Sequence, residues 1–246
     1  MIEAHRSSWT DVSDHLATVS SVAILPFGAT EAHGPHLPLG TDTMVADEVA
    51  RRIAEEFDAV LLPPVHYGDT WGTAGYPGTM SLSTETVAAI AVDLGRAASA
   101  AGARLFVIVN GDFGNRIPLA LATRTLATIE GFTALTIDYP GMDDAIESVR
   151  VALPAAPGLN HAEEAETSII LALDPDAVHP DRYRSEYPEF PADFGLRPMQ
   201  VHRFSASGVF GDPSHATADK GRAILDATVA ESVRRLRPLV ESLDRS

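Results

Sequence analysis

Short apolar runs alternate along the chain with longer stretches in which apolar residues recur every three to four positions. Mostly apolar runs predict buried strands at residues 21–27, 59–62, 104–109 and 132–139. Helical spacing predicts helices at residues 43–57, 84–101, 117–129, 161–173 and 215–240. Repeated strand–helix units of this kind predict an α/β fold with a mostly parallel central sheet and helices on both faces.

The sequence shows no internal repeat and no shift in composition that would mark a second folding unit. We therefore expect residues 1–246 to form one domain. In sheets of this class, ligands bind beyond the carboxyl ends of the strands. The loops that follow the predicted strands are therefore where functional side chains are expected.

Charge and composition narrow the possible partners and cofactors. The 246 residues include 18 Lys and Arg against 34 Asp and Glu, a net charge of −16, which disfavours nucleic acid and anionic membranes as partners. There is no cysteine, so a metal ion would have to be held by His, Asp and Glu. No apolar run approaches the roughly 18 residues that span a bilayer, and the start has no signal-peptide core. The expectation is a soluble cytoplasmic protein.

The loop after the first predicted strand carries Glu31 and His33 and is followed by Asp42. In an extended loop, side chains alternate, so Glu31 and His33 would point to the same side. Carboxylate and imidazole groups together suit divalent zinc, manganese or iron. The alternative is that Asp42 caps the next helix and the histidine only makes hydrogen bonds within the loop.

The third predicted strand runs into the string NGDFGN at residues 110–115. Its glycines and asparagines allow the backbone to turn sharply beside a ligand. Asp112 would then point into the same crevice as the first loop. The alternative is an ordinary turn between strand and helix, with Asp112 or Asn115 as the helix cap.

A third polar cluster, HAEEAET, covers residues 161–167. On a helix, His161 and Glu164 would share one face, and Glu163 and Glu166 another. This spacing predicts an acid–base or metal-ligating role. The alternative is an acidic first turn that only stabilises the positive end of the helix.

Several common catalytic signatures are missing from the sequence. Residues 72–78 do not match the dinucleotide-binding fingerprint, and no phosphate-binding loop pattern occurs. There is also no G-x-S-x-G nucleophile elbow. The sequence therefore gives no support to chemistry based on NAD, ATP or a catalytic serine.

Five strings in order along the chain resemble the creatininase family of metal-dependent amidohydrolases. They are LPFGATEAHGPHLPLGTDT at 25–43, YPGTMSL at 76–82, IVNGDFGN at 108–115, HAEEAETS at 161–168 and GVFGDPSHATADKG at 208–221. The resemblance runs from about residue 20 to residue 237. It implies a three-layer αβα sandwich, a homo-oligomer, and hydrolysis of a carbonyl C–N bond (amide, lactam or formamide) of a small molecule or peptide. The expected enzyme class is a hydrolase of non-peptide C–N bonds, with a small-molecule amide as the substrate.

The resemblance also implies a metal site and shows one departure from the family pattern. Glu31, His33 and Asp42 match family ligands, with Asp42 bridging if two ions are bound. The next family ligand is a histidine, and here that position is Asp112. The family's creatininase has a further glutamate ligand, and here that position is Gly114. We expect one or two divalent ions (Zn, Mn or Fe), with the extra oxygen ligands favouring Mn or Fe over Zn.

The remaining site residues complete a predicted mechanism. Glu166 or Glu164 would replace the missing glutamate ligand, and His161 or Glu164 would donate a proton to the leaving nitrogen. Trp71, Phe113 and Asn110 are the predicted walls of a substrate pocket. The substitutions at the metal site leave an alternative: a family member that is non-catalytic, or one that catalyses cyclisation or ligation.

Overall fold

A computed structural model of the chain describes residues 1–156 and 158–243. Residues 157 and 244–246 of the domain predicted for 1–246 lie outside the described part. All strand pairs in its central sheet are parallel, in the order β1-β3-β2-β4-β5. The strands are β1 (Ile2–Glu3), β2 (Val22–Phe27), β3 (Val60–Leu61), β4 (Leu105–Asn110) and β5 (Thr133–Ile137).

The five predicted helices are present, with ends that differ by a few residues from the sequence-based ranges. The helices are α1 (Trp9–Thr18), α2 (Thr41–Glu56), α3 (Thr84–Ala100), α4 (Arg116–Leu126), α5 (Met142–Val149), α6 (Glu164–Leu173) and α7 (Ala218–Leu243). Helices α1 and α5 and the short strand β1 were not predicted.

Two of the predicted helix starts are wrong, and both concern polar residues. Helix α2 begins at Thr41 with Gly40 as its N-cap, so Asp42 lies inside the first turn and does not cap the helix. Helix α6 begins at Glu164, and the Glu163 side chain caps it by accepting from the Glu166 and Ala165 amides. His161 therefore precedes the helix, and it does not share a helical face with Glu164.

The sheet separates two apolar clusters, because successive strand residues point to opposite faces. Ile24 and Val107 pack with α2, α5, α6 and α7 on one face. Ala23 and Phe106 pack with α1, α3 and α4 on the other. The predicted three-layer αβα architecture is confirmed.

The adjacent strands β2, β4 and β5 bring three loops together at their carboxyl ends. Phe27 pairs with Asn110, and Val109 pairs with Ile137, so the three strands end at nearly the same level. Gly111 lets the loop after β4 approach α2 closely, since a Cβ there would overlap the Asp42 carbonyl oxygen.

Among the described helices, none combines the length and the apolar character that a membrane crossing requires.

Candidate metal centre

Glu31 and His33 both lie on the loop between β2 and α2, and both are buried. The Glu31 amide donates to the Leu39 carbonyl (2.9 Å), which closes the loop, and Gly34 turns it with φ = +61°. Nδ1 of His33 lies 3.2 Å from the Glu31 carbonyl oxygen, to which it can donate. That hydrogen bond selects the tautomer whose Nε2 carries a free lone pair, as metal-bound histidines require.

The structure brings the side chains of Glu31, His33, Asp42, Asp112 and Glu166 together. Nε2 of His33 is 3.2 Å from Asp42 Oδ1, 3.6 Å from Glu166 Oε2 and 3.9 Å from Glu31 Oε1. Donor atoms of Glu31, Asp42 and Asp112 also lie within 4.8 Å of one another. All five predicted ligands therefore surround one small volume at the carboxyl ends of β2 and β4.

His161 joins this cluster from the segment before α6. Its Nε2 donates to the Ala32 carbonyl oxygen (2.9 Å), which leaves Nδ1 as the unprotonated nitrogen, 3.9 Å from Glu31 Oε1. Its ring contacts the His33 ring at an interplanar angle of 37°, with centroids 4.4 Å apart. Burial and then the neighbouring His33 lower the pKa of His161 to about 3, so its imidazole is neutral at physiological pH.

Three potential ligand atoms in the cluster are buried and lack a hydrogen-bond partner among the described residues. They are Nε2 of His33, Oδ2 of Asp42 and Oδ2 of Asp112. Nε2 of His33 lies close to Asp42, but the pair does not have hydrogen-bonding geometry. Leaving a buried polar atom unpaired costs about 1–3 kcal/mol. A divalent cation would satisfy all three atoms, so the residues present fit a metal ion.

The concentration of carboxylates in this small volume perturbs their protonation. Burial raises the pKa of Glu31 and Asp112 well above the usual carboxyl value, and Asp42 adds to both shifts. Burial raises the pKa of Glu166 to about 7, with the His33 charge opposing the shift. Burial opposes the charged form of His33, yet the charges of Asp42 and Glu166 raise its pKa well above the usual value. Without a cation, the site thus binds protons instead.

The Gly114 position has no room for the glutamate that the family's creatininase has there. A Cβ on Gly114 would overlap the Asp69 carbonyl oxygen. Glu166 reaches the cluster from α6 instead, and its Oε2 accepts from the Ala162 amide (2.6 Å). Ala162 adopts a left-handed conformation (φ = +53°), which turns the chain between His161 and α6. Glu166 is therefore the residue positioned to supply the missing carboxylate.

Glu164 points elsewhere, although the sequence made it a candidate proton donor and ligand. Its buried carboxylate pairs with Lys220 of α7 and accepts from the backbone amides of Val151 (2.9 Å) and Ala152 (2.7 Å). These partners lower the pKa of Glu164 despite the opposing effect of burial. Among the described residues, Glu164 belongs to none of the groups that could hold a metal ion, and Lys220 and the two amides hold its carboxylate instead.

The three residues predicted to wall the pocket have different environments. Asn110 is buried and supports the site, since Oδ1 accepts from the Asp112 amide (3.2 Å) and Nδ2 donates to Asp138 (3.1 Å). Phe113 faces solvent with 73% of its surface exposed and lies against Arg116. Trp71 is half-exposed and begins the turn that contains Thr73.

Sequence reasoning gave no site role to Thr73 or Tyr139, and it named His36 only as a member of the first polar loop. The Thr73 hydroxyl donates to Glu31, and buried His36 is linked to Thr167 of α6 through Nε2 and Oγ1 (2.9 Å). Tyr139 follows β5, and burial, followed by the charge of Asp42, raises the pKa of its phenol well above the usual value. The sequence offered a signal for His36, which shares the loop of Glu31 and His33, and for Tyr139, which ends a predicted strand whose loop was expected to face the site.

The comparisons with known proteins agree with this geometry. The sequence profile of the creatininase family, described as creatinine amidohydrolase, matches residues 5–236. The chain is 35% identical over 240 residues to the mycofactocin precursor peptide peptidase of Mycolicibacterium smegmatis, covering 93% of this chain and 91% of the relative. It is 29% identical to the creatinine amidohydrolase of Pseudomonas putida, covering 94% and 95%. The chain belongs to the creatininase family, whose members are amidohydrolase-like.

Solved structures show the same relationship. A structure described as a manganese creatininase superposes with a TM-score of 0.83 at 28% identity and covers 97% of this chain and 98% of its own. A mutant creatininase of the Zn–Zn type gives a TM-score of 0.82 with the same identity and coverage. Relatives of this fold thus carry manganese or zinc. The relatives' names include a peptidase, so the family is not restricted to non-peptide bonds.

Proposed function

We propose that the chain is a metal-dependent amidohydrolase that cleaves a carbonyl C–N bond with an activated water molecule. The convergence of Glu31, His33, Asp42, Asp112 and Glu166 around three unpartnered ligand atoms supports this proposal most directly. The same residues would hold one or two divalent ions. A bound ion lowers the pKa of water from 15.7 to roughly 7 and polarises the substrate carbonyl.

His161 is the proposed proton carrier. Its Nε2 is fixed to the Ala32 carbonyl, while Nδ1 is free, unprotonated and directed toward the cluster. Nδ1 accepts a proton from the attacking water and passes it to the departing nitrogen, so that an acid and an amine are formed. Glu164 has no part in this step, because its carboxylate is bound to Lys220.

The proposed substrate class is an amide, lactam, formamide or peptide, since all of these present the same carbonyl C–N bond. The relatives named as a peptidase and as a creatinine amidohydrolase cover both small-molecule and peptide substrates. The sequence-based restriction to non-peptide bonds is therefore not retained in the proposal. Zinc, manganese and iron all suit the ligands, and the four carboxylates favour the harder ions.

Metal analysis with matched variants tests the proposal. Glu31→Gln and Asp42→Asn should each lose stoichiometric metal and lose turnover of creatinine, small formamides and short peptides together. Asp47→Asn changes a half-buried carboxylate on the same helix as Asp42 and should retain both properties. Wild-type protein without stoichiometric metal after loading would support the non-catalytic alternative, and full turnover without metal would overturn the proposal.

A further inference from the structure

Tyr139 combines a buried polar group with no hydrogen-bond partner and a strained backbone. Its hydroxyl oxygen is buried and makes no hydrogen bond within the described residues, while the residue as a whole is partly buried. Replacing such a hydroxyl by hydrogen is therefore expected to be neutral or stabilising for the fold. A buried hydroxyl that does not stabilise the folded protein is a candidate for hydrogen bonding to a bound ligand.

The backbone of Tyr139 is held in a conformation that L-residues rarely adopt. Its φ is +44°, in the left-handed region, and the turn is closed by the Met142 amide, which donates to the Tyr139 carbonyl (3.2 Å). Left-handed conformations of residues other than glycine are costly and concentrate at functional sites. Ala162, beside His161 and Glu166, has the same kind of conformation. Two strained residues thus adjoin the ligand cluster from two different segments.

Tyr139 lies at the same edge of the sheet as the loops that carry the candidate metal ligands. Tyr139 follows β5 at the edge of the sheet where Asp112 follows β4, and the Asn110 side chain, which donates to Asp138 (3.1 Å), joins the two strand ends. The Tyr139 side chain packs against the apolar cluster on the sheet face that carries α2 and α6, the helices of Asp42 and Glu166. Its buried hydroxyl is therefore held between the end of β5 and the helices that carry two of the proposed ligands, where the phenol can donate.

We infer that Tyr139 is a further catalytic residue whose hydroxyl donates a hydrogen bond to the oxygen of the scissile carbonyl. This inference rests on the proposed function. As the water oxygen bonds to the carbonyl carbon, negative charge accumulates on the carbonyl oxygen, and a fixed donor stabilises it most at that stage. The C–N bond then breaks, the nitrogen takes the proton carried by His161, and Tyr139 keeps its own proton throughout.

The test compares Tyr139→Phe with the control Tyr187→Phe in manganese-loaded protein. Tyr187 is half-exposed, and its hydroxyl donates to the Leu153 carbonyl (3.1 Å), away from the ligand cluster. The probes are acetohydroxamate, which presents adjacent oxygens to a metal site, and the best amide found in the substrate panel. Metal content, melting temperature, hydroxamate affinity, kcat and KM are measured for each protein.

Tyr139→Phe should retain its metal and should melt no lower than wild type. It should bind acetohydroxamate about tenfold more weakly. Its kcat should be about 10- to 100-fold lower than that of wild type, with a smaller change in KM. Tyr187→Phe should match wild type in metal content, affinity and turnover. Unchanged affinity and kcat in Tyr139→Phe would overturn the inference, as would loss of its metal, which would make Tyr139 a structural support of the site. Wild-type protein that binds no metal would instead refute the proposed function, and this inference with it.

Discussion

Asp112 is the residue at which the candidate centre departs most from the pattern of its family. It places a fourth carboxylate beside Glu31, Asp42 and Glu166, in a cluster that otherwise contains only His33 and His161. Its Oδ1 accepts from the Gly114 amide (3.1 Å), while Oδ2 is unpartnered and available to a cation. If the site holds a metal ion as proposed, a carboxylate at this position would offer a hard oxygen ligand in place of the histidine nitrogen implied by the family resemblance, and it would favour manganese relative to zinc.

Replacement of this carboxylate by the family histidine tests the argument directly. Asp112→His should raise the zinc-to-manganese affinity ratio about tenfold, because imidazole is the softer ligand. Competition between the two ions, followed by mass spectrometry of the bound metal, measures this ratio. Asp112→Asn is the control that removes the charge without adding an imidazole, and it should weaken both ions. An unchanged ratio in Asp112→His would show that Asp112 does not contact the metal.

At the level of elements, the start of α6 decides which glutamate enters the site. A helix predicted from residue 161 makes His161 and Glu164 neighbours, but the cap at Glu163 sends Glu166 to the cluster and Glu164 to Lys220. The sequence could not distinguish these registers, because every acidic residue here suits the positive end of a helix. The deciding partner, Lys220, comes from α7, which lies 56 residues further along the chain.

The close contact between α6 and α7 should therefore influence the metal site. A Cβ at Gly221 of α7 would overlap the Ser168 carbonyl of α6, so Gly221→Ala must push the helices apart. We expect a loss of about 1–3 kcal/mol in the free energy of unfolding and a several-fold weaker affinity for manganese. Urea unfolding of the metal-free protein and calorimetric titration with manganese measure the two effects.

Gly95 of α3 provides the matched control on the opposite layer. The three atoms nearest to a Cβ there belong to the end of the buried Leu126 side chain and not to backbone, so Gly95→Ala should destabilise the protein less than Gly221→Ala. Its manganese affinity should equal that of wild type, because α3 and α4 do not carry ligands. If Gly221→Ala also binds manganese normally, α6 holds Glu166 independently of its packing on α7.

For the whole molecule, the sequence predicted the central strands and the helices that cover them, but it did not predict the short edge strand β1. The runs that became β2 and β4 are apolar on both faces because helices cover the sheet on both sides, and that pattern is local. Strand β1 has only two residues and depends on pairing with β3, 58 positions away in the register of Ile2 and Val60, so no local pattern reveals it. The single domain, the homo-oligomer and the cytoplasmic location stay predictions.

The cluster of carboxylates should also govern how the stability of the metal-free molecule depends on pH. The folded-state pKa of Glu166 is raised to about 7 from 4.5, and those of Glu31 and Asp112 are raised as well. A group with a raised folded pKa contributes its full stability below the unfolded pKa and loses it as pH rises through the folded pKa. The ionisation of Glu166 alone should lower the free energy of unfolding by about 3 kcal/mol between pH 4.5 and 7. His33, whose pKa is also raised, shifts stability in the same direction.

Two histidines oppose this slope, because the lowered pKa values of His161 (about 3) and His36 (about 4) make stability rise with pH up to the unfolded value of 6.5. Urea unfolding with EDTA at pH 5, 6, 7 and 8 should therefore be compared between wild type and Glu166→Gln, and wild type should lose stability relative to the variant as pH rises. Carboxylates with lowered pKa values, such as Glu164, are ionised in both states over this range and add little slope. Manganese replaces the bound protons, so its stabilising effect should grow from pH 5 to pH 7. The difference in the free energy of unfolding between Glu166→Gln and wild type, both metal-free, should grow by up to about 3 kcal/mol from pH 5 to pH 7. If this difference does not change with pH, Glu166 is not competing for protons, and the electrostatic basis of the cation site is wrong.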